Sequence, residues 1–209
     1  MKFEEMTIKA FSDELASNSP APGGGSVAAL CGLLAANLES MVANLTIGKE
    51  KYKDGWDEMG KVLEAAGKLG VEFTNLMNED TESFNIFMKA LKMPKDTEEQ
   101  KTARRAAMAE ASKTATAVPL RTLESCVKAA ALSVAAAKYG NASAVSDAGV
   151  AALLAEAAAK AAAYNVKINL PGIKDEAFAK DCRERMEKAL AEAGKYAAET
   201  AELVEAALK

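Results

Sequence analysis

The chain has 209 residues, half of them hydrophobic but only 5% aromatic, and a net charge of −4. That length supports one domain, 1–209, with a real core, and an acidic balance without a basic stripe argues against a nucleic-acid partner. Histidine is absent, which excludes Ser-His-Asp and Cys-His nucleophilic machinery and HExxH zinc sites, so acid–base chemistry falls to Asp, Glu, Lys, Tyr or Cys.

Met1-Lys2-Phe3-Glu4-Glu5 lacks the apolar core of a signal peptide. Charge, Gly or Asn interrupts the apolar runs before they reach the ~18 residues a bilayer span needs. Cys31, Cys126 and Cys182 are odd in number and far apart, which suits small core residues in a reducing cytoplasm better than a disulfide framework or a metal site. The expectation is a cytoplasmic protein with no membrane partner.

Thr7 is placed to cap a short first helix with Ile8, Phe11 and Leu15 on one face. The stretch Ser17 to Ser26 follows, stiffened by Pro20 and Pro22 and loosened by Gly23, Gly24 and Gly25. It runs straight into a helical pattern from about Gly24 to Ile47, stopped by Gly48. Glu39 is the single charge in that helix, so the helix belongs inside the fold. A glycine-rich entry to a helix N-terminus is a cradle for an anionic or carbonyl-bearing ligand, or else a plain small-residue loop.

After a polar connector, Lys49 to Lys53, a heptad seam spans Trp56 to Leu91. One stripe reads Trp56, Leu63, Gly70, Met77, Phe84 and Leu91; its companion reads Met59, Ala66, Phe73, Asp80 and Phe87. Met93-Pro94 ends that helix. Thr97 and Gln100 form a capping box that opens a helix toward Tyr139, which Pro119 should kink or split near Ala117. After the Gly140-Asn141 break, 142–163 form an alanine-rich apolar helix. Its Glu156–Lys160 pair marks the solvent side and leaves Asp147 pointing inward with Val150 and Leu154. Residues 165–172 are expected to be a loop, and an amphipathic helix from about Asp175 to Leu208 closes the chain. No strand alternation of useful length appears, so the fold class is all-α: an antiparallel bundle of about six long helices.

Several residues carry candidate chemistry. Gly23, Gly25 and Ala28 match a dinucleotide-binding glycine pattern, but no strand precedes them, and that fingerprint requires one. A phosphate loop fails because Glu50 follows Gly48-Lys49 and Ala43 stands where the first glycine belongs. Asp80 places a carboxylate on a core heptad position, where it is either a functional acid with a perturbed pKa or a structural partner for a Lys or Arg. Asp147 is either a second such group or a carboxylate favoured by a helix dipole. Lys49 is either a ligand contact or a cation following a helix C-terminus. Asn165 and Asn169 are turn-formers, or two carboxamides able to read the hydrogen-bonding edge of a heterocycle.

Taken together, the motifs resemble one family. Ser17-x-x-Pro20-x-Pro22-Gly23-Gly24-Gly25-Ser26-Val27-Ala28-Ala29-Leu30, Met41-Val42-x-x-Leu45-Thr46-x-Gly48-Lys49, Asp80-x-x-Ser83-Phe84, Asn141 with Ser146-Asp147-Ala148-Gly149, and Asn165-Val166-x-Ile168-Asn169 stand in the order seen in the cyclodeaminase/cyclohydrolase family of folate enzymes. The resemblance covers essentially the whole chain. It implies an all-helical homodimer that binds a tetrahydrofolate derivative as substrate in a cleft near the subunit interface, with no metal and no other cofactor. The all-round apolar helices suit such an interface.

Two activities go with the family: methenyltetrahydrofolate cyclohydrolase, which opens the methenyl bridge with water, and formiminotetrahydrofolate cyclodeaminase, which closes the ring and releases ammonia. The bifunctional relatives fuse a transferase domain to this one, and the single-domain length favours the cyclohydrolase. A non-catalytic folate-binding helical protein is the third reading. The resemblance assigns Asp147, Asp80 and Lys49 to acid–base or charge roles. It assigns substrate binding to Pro22, Gly23, Gly24, Gly25, Ser26, Ser83, Asn141, Ser146, Asn165 and Asn169.

Overall fold

The computed structural model describes residues 2–209, among which there are six α-helices, four short 3-10 turns and no strand. The helices are α1 (Ile8–Leu15), α2 (Gly24–Thr46), α3 (Trp56–Leu91), α4 (Glu98–Tyr139), α5 (Val145–Asn169) and α6 (Glu176–Ala207). The expected caps form: the Thr7 hydroxyl accepts from the Ala10 N–H, and Thr97 and Gln100 make a reciprocal capping box. After α2, Gly48 takes φ +84°, a left-handed conformation that costs glycine nothing.

α4 packs against α2, α3, α5 and α6, while α2 lies between α3 and α5. Sequential helices from α2 onward run antiparallel, because each end of the bundle is tied by contacts between opposite chain directions. At one end the start of α2 meets Asp80 late in α3 and Asn165 late in α5. At the other, Asn141, just before α5, bonds the Leu45 carbonyl at the end of α2.

The core is alanine-rich, which lets helix axes approach closely. Met59, Ala66 and Phe73 of the expected companion stripe are buried, but of the first stripe only Met77 is: Trp56, Leu63, Gly70 and Phe84 are half-buried and Leu91 is exposed, and Val62, Leu69 and Leu76 fill the core instead. Phe73 lies against the backbone of α2, where a Cβ added to Gly32 would sit 2.4 Å from its ring.

Three expectations are corrected. Pro119 does not split α4, which continues from Glu98 to Tyr139 with the proline buried inside it. The loop expected at 165–172 does not exist as such, because α5 continues to Asn169 and a 3-10 turn, Leu170–Gly172, follows. Val166 and Leu170 of that stretch are buried in the main core, a tertiary term that outweighs the two asparagines. Asp147 is half-buried rather than inward-pointing, and Val150 on its face is 46% exposed.

By length and composition, α2 and the segment 142–172 are also apolar enough to cross a membrane, with mean hydropathy 1.6 and 1.3. About half of each is buried against the rest of the bundle.

Candidate functional site

A cavity of about 420 Å³ opens where the start of α2, the late part of α3, the early part of α4 and the end of α5 converge. Pro20, Ala21, Gly23, Gly24 and Gly25 form one wall; Asp80, Thr81, Ser83, Phe84 and Phe87 form the second; Ser112 and Ala115 lie beneath; and Asn165, Ile168, Asn169 and Gly172 complete it. Among the described residues, Asp80 is its one charged lining group.

The carboxylate of Asp80 sits on the N-terminus of α2. Ser26 Oγ donates to its Oδ2 at 2.9 Å, and the Ser26 backbone N–H faces it as well. Ser26 Oγ is also 3.4 Å from Thr81 Oγ1. Burial pushes the Asp80 carboxyl above the ordinary aspartate range, and the two Ser26 contacts pull it partly back. Gly25 makes this seat possible: a Cβ there would come within 2.1 Å of Asp80 Oδ1, so no other residue lets the carboxylate approach the helix end this closely.

Asn165 and Asn169 reach the cavity from the helix rather than from a loop. Asn165 Nδ2 donates to the Ala161 carbonyl at 2.9 Å. Asn169 Nδ2 donates to the Ala115 carbonyl at 2.7 Å. The second bond explains how α4 survives its proline. Pro119 has no N–H to offer the carbonyl four residues back, Ala115, and Asn169 supplies the missing donor. Each amide keeps its Oδ1 for a ligand's donor. Ser83, almost fully buried, gives its hydroxyl to the Asp80 carbonyl at 2.8 Å, so it braces α3 at the cavity wall. Pro22 is buried beneath the glycine loop and does not line the cavity.

Four of the expected site residues lie elsewhere. Lys49, Asn141, Ser146 and Asp147 gather around the C-terminus of α2 and the start of α5, a helix length away from the cavity. Asn141 is occupied there as a bracket: its N–H donates to Thr46 Oγ1 at 2.8 Å, its Nδ2 to the Leu45 carbonyl at 3.0 Å, and its Oδ1 accepts from the Ser143 N–H at 3.0 Å. Lys49 and Ser146 are exposed. The Lys49 carbonyl accepts from Trp56 Nε1 at 3.3 Å.

Sequence reasoning missed Phe87, Thr81 and Ser112 as cavity residues. The available signal was the aromatic pair Phe84 and Phe87, which continues the seam just past its one carboxylate. Glu39, noted in the sequence as the single charge of a buried helix but given no role there, is fully buried. Ser133 Oγ donates to Glu39 Oε1 at 2.8 Å, Oε2 has no partner among the described residues, and burial pushes this carboxyl well above its ordinary range.

Residues 7–188 match the Formiminotransferase-cyclodeaminase family. A methenyltetrahydrofolate cyclohydrolase from Methylorubrum extorquens is 45% identical over 188 residues, 90% of each chain. The formimidoyltransferase-cyclodeaminase of Sus scrofa is 35% identical over 95% of this chain, which spans 37% of that longer protein. The crystal structure of formiminotetrahydrofolate cyclodeaminase from Thermotoga maritima superposes with a TM-score of 0.88, covering 99% of both chains at 31% identity. The chain therefore belongs to the formiminotransferase-cyclodeaminase family, and its helical bundle is the fold of that solved relative.

Proposed function

We propose that this protein is a methenyltetrahydrofolate cyclohydrolase, working by acid–base catalysis in the cavity at the start of α2. The observation that carries the reading is Asp80, a single carboxylate in an otherwise neutral cavity, seated on a helix N-terminus with a raised pKa. The 45% identity to a cyclohydrolase over nine-tenths of both chains supports the choice of reaction.

The substrate's methenyl carbon bridges two nitrogens and carries their shared positive charge, so it is open to water. The Asp80 carboxylate takes a proton from water as the oxygen bonds to that carbon, giving a neutral tetrahedral adduct. One carbon–nitrogen bond then breaks with proton delivery to the departing nitrogen, leaving the formyl group on the other. A carboxyl with a raised pKa suits both halves of that exchange. Phe84 and Phe87 offer flat apolar walls for a fused heterocycle. Asn165 and Asn169, together with the unpaired N–H groups of Gly24 and Gly25, offer acceptors and donors for its edge. We read the active species as a homodimer, with no metal or other cofactor assigned a step.

Formiminotetrahydrofolate cyclodeaminase is the second reading, favoured by the full-length match to the Thermotoga maritima structure. Both reactions pass through a tetrahedral carbon between the same two nitrogens. A spectrophotometric assay with both folates in parallel separates them. Enzyme-dependent loss of the methenyl absorbance establishes the cyclohydrolase. Appearance of that absorbance from the formimino compound, with ammonia released, establishes the cyclodeaminase. Tight folate binding with neither change leaves a non-catalytic folate-binding protein.

A further inference from the structure

The two cavity asparagines are not free to turn their amides over. Asn165 Nδ2 donates to the Ala161 carbonyl at 2.9 Å and Asn169 Nδ2 to the Ala115 carbonyl at 2.7 Å. A primary amide tied by its nitrogen has its oxygen placed as well, so each Oδ1 stands as a fixed acceptor. The neighbouring hydroxyls act in the same sense. Ser83 gives its hydrogen to the Asp80 carbonyl and Ser112 to the Met108 carbonyl at 2.8 Å, which leaves their oxygen lone pairs for a ligand. With Asp80, and with Thr81 as the exception, the side-chain oxygens of this cavity are acceptors. They suit a ligand edge that carries several N–H groups.

The matching donors come from the backbone at one place. A Cβ added to Gly24 would lie 3.5 Å from Asn165 Nδ2 and 3.7 Å from its Oδ1. The Asn165 amide therefore rests over the first turn of α2, where the N–H groups of Gly24 and Gly25 have no helical partner. A donor beside an acceptor is the complement of a lactam, a ring N–H next to a ring carbonyl. Asn169, four residues on, adds a second acceptor about 6 Å further along the helix. Backbone donor, Asn165 oxygen and Asn169 oxygen follow the order of a 2-amino-4-oxopyrimidine edge: carbonyl, ring N–H, amino group.

What fixes Asn169 lies outside the cavity. Pro119 is buried in α4 and does not line the cavity. It has no N–H to give the Ala115 carbonyl, so that acceptor stays open to Asn169. The backbone around Asn169 has other fastenings. Leu170 is buried in the core, and Lys113 Nζ bonds Asp175 Oδ2 at 2.8 Å just beyond the turn. Loss of the Ala115 bond therefore releases the amide and leaves the end of α5 in place.

We infer that Pro119 is a positioning residue for ligand selection: by leaving the Ala115 carbonyl open it pins the Asn169 amide, whose Oδ1 accepts from the 2-amino group of a reduced pterin. This rests on the folate part of the reading above and not on which of the two reactions follows. The 2-amino group stands at the far end of the ring system from the reacting carbon. The contact therefore sets binding and leaves the chemistry to Asp80.

The test compares, by calorimetry, binding of tetrahydrofolate with binding of its analogue in which methyl replaces the 2-amino group. Neither compound carries the one-carbon bridge, so neither reacts. Wild type should prefer tetrahydrofolate about tenfold, the effect of one missing donor opposite a held acceptor. Asn169→Ala should bind tetrahydrofolate about tenfold more weakly and the analogue within about two-fold of wild type, so the preference disappears. Pro119→Ala returns the helix N–H without touching the ligand. It should cut the preference to about two- or three-fold and raise KM with kcat within about two-fold. If the proline only shaped α4, both ligands would weaken together and the preference would survive; that result overturns the role of Pro119. Pro119→Val, which also restores the N–H, repeats the test if Pro119→Ala does not fold. A preference kept in Asn169→Ala overturns the 2-amino contact. Wild-type protein that binds both compounds alike, or neither, overturns the whole inference. If wild type shows the preference but turns over neither folate, the reaction is wrong and the recognition stands.

Discussion

Asp80 and Glu39 are two carboxyl groups in one bundle, each accepting a serine hydroxyl at nearly the same distance, 2.9 Å from Ser26 and 2.8 Å from Ser133. Burial raises both pKa values. They differ in what lies on the other side. Asp80 faces a cavity and rests on the positive end of α2, which can hold its ionised form. Glu39 faces only packed side chains and keeps one oxygen unpartnered among the described residues, so burial favours its neutral form. Burial alone therefore does not make a carboxyl a working acid or base; access to a ligand does.

The sharpest way to break this comparison is Asp80→Asn. It should lower kcat by about 10²–10⁴-fold, the usual range for a lost acid–base group, with the helical circular dichroism unchanged. Because its pKa is raised from 3.8, wild-type turnover should fall as pH drops through a value above the ordinary aspartate range, and that acid limb should vanish in the variant. An unfolded Asp80→Asn would give Asp80 a structural role instead.

Gly25→Ala tests the seat rather than the group. The added Cβ displaces the carboxylate from the helix end, so turnover should drop about 10–10³-fold and stability by about 1–3 kcal/mol, as for other overpacked sites. Retained activity would show that Asp80 works without α2.

Glu39→Gln should do the reverse. The folded state holds the Glu39 proton more tightly than the unfolded chain does. Its stabilising contribution is therefore complete below the ordinary glutamate value of 4.5 and is lost as pH rises from there toward the higher folded value. The amide mimics the neutral form at every pH. At pH 8 the variant should melt higher by a few degrees, about 2–6 °C. The gap should close near pH 4, and turnover should stay within about two-fold of wild type. A variant that melts lower at pH 8 would mean that Glu39 is ionised in the fold.

The smallest effect concerns Asn169. Asn169→Ala should cost about 1 kcal/mol by leaving the Ala115 carbonyl without its donor, and less in a Pro119→Ala background where the helix N–H returns. Equal costs in both backgrounds would remove the coupling between the proline and the asparagine.

Much of this molecule is local and was legible in the chain. The caps at Thr7 and Thr97 depend on residues three apart, the seam from Met59 to Phe73 on a heptad repeat, and the all-α class on periodicity summed over long windows. Asp80 stood out because it broke a pattern, and the Gly23–Ser26 entry because three glycines run straight into a helical pattern.

What the linear chain could not decide was everything that required two distant segments to be placed together. Asn165 and Asn169 read as a loop, whereas α5 runs through both with Val166 buried between them. Pro119 read as a break because the donor that repairs α4 lies 54 residues from the Ala115 carbonyl it serves. The motif residues read as one site, but rigid helices of this length hold Lys49 and Asp147 away from Asp80. Local patterns are set by near neighbours and survive in one dimension, whereas a site is set by distances between helices, which only the packed bundle determines.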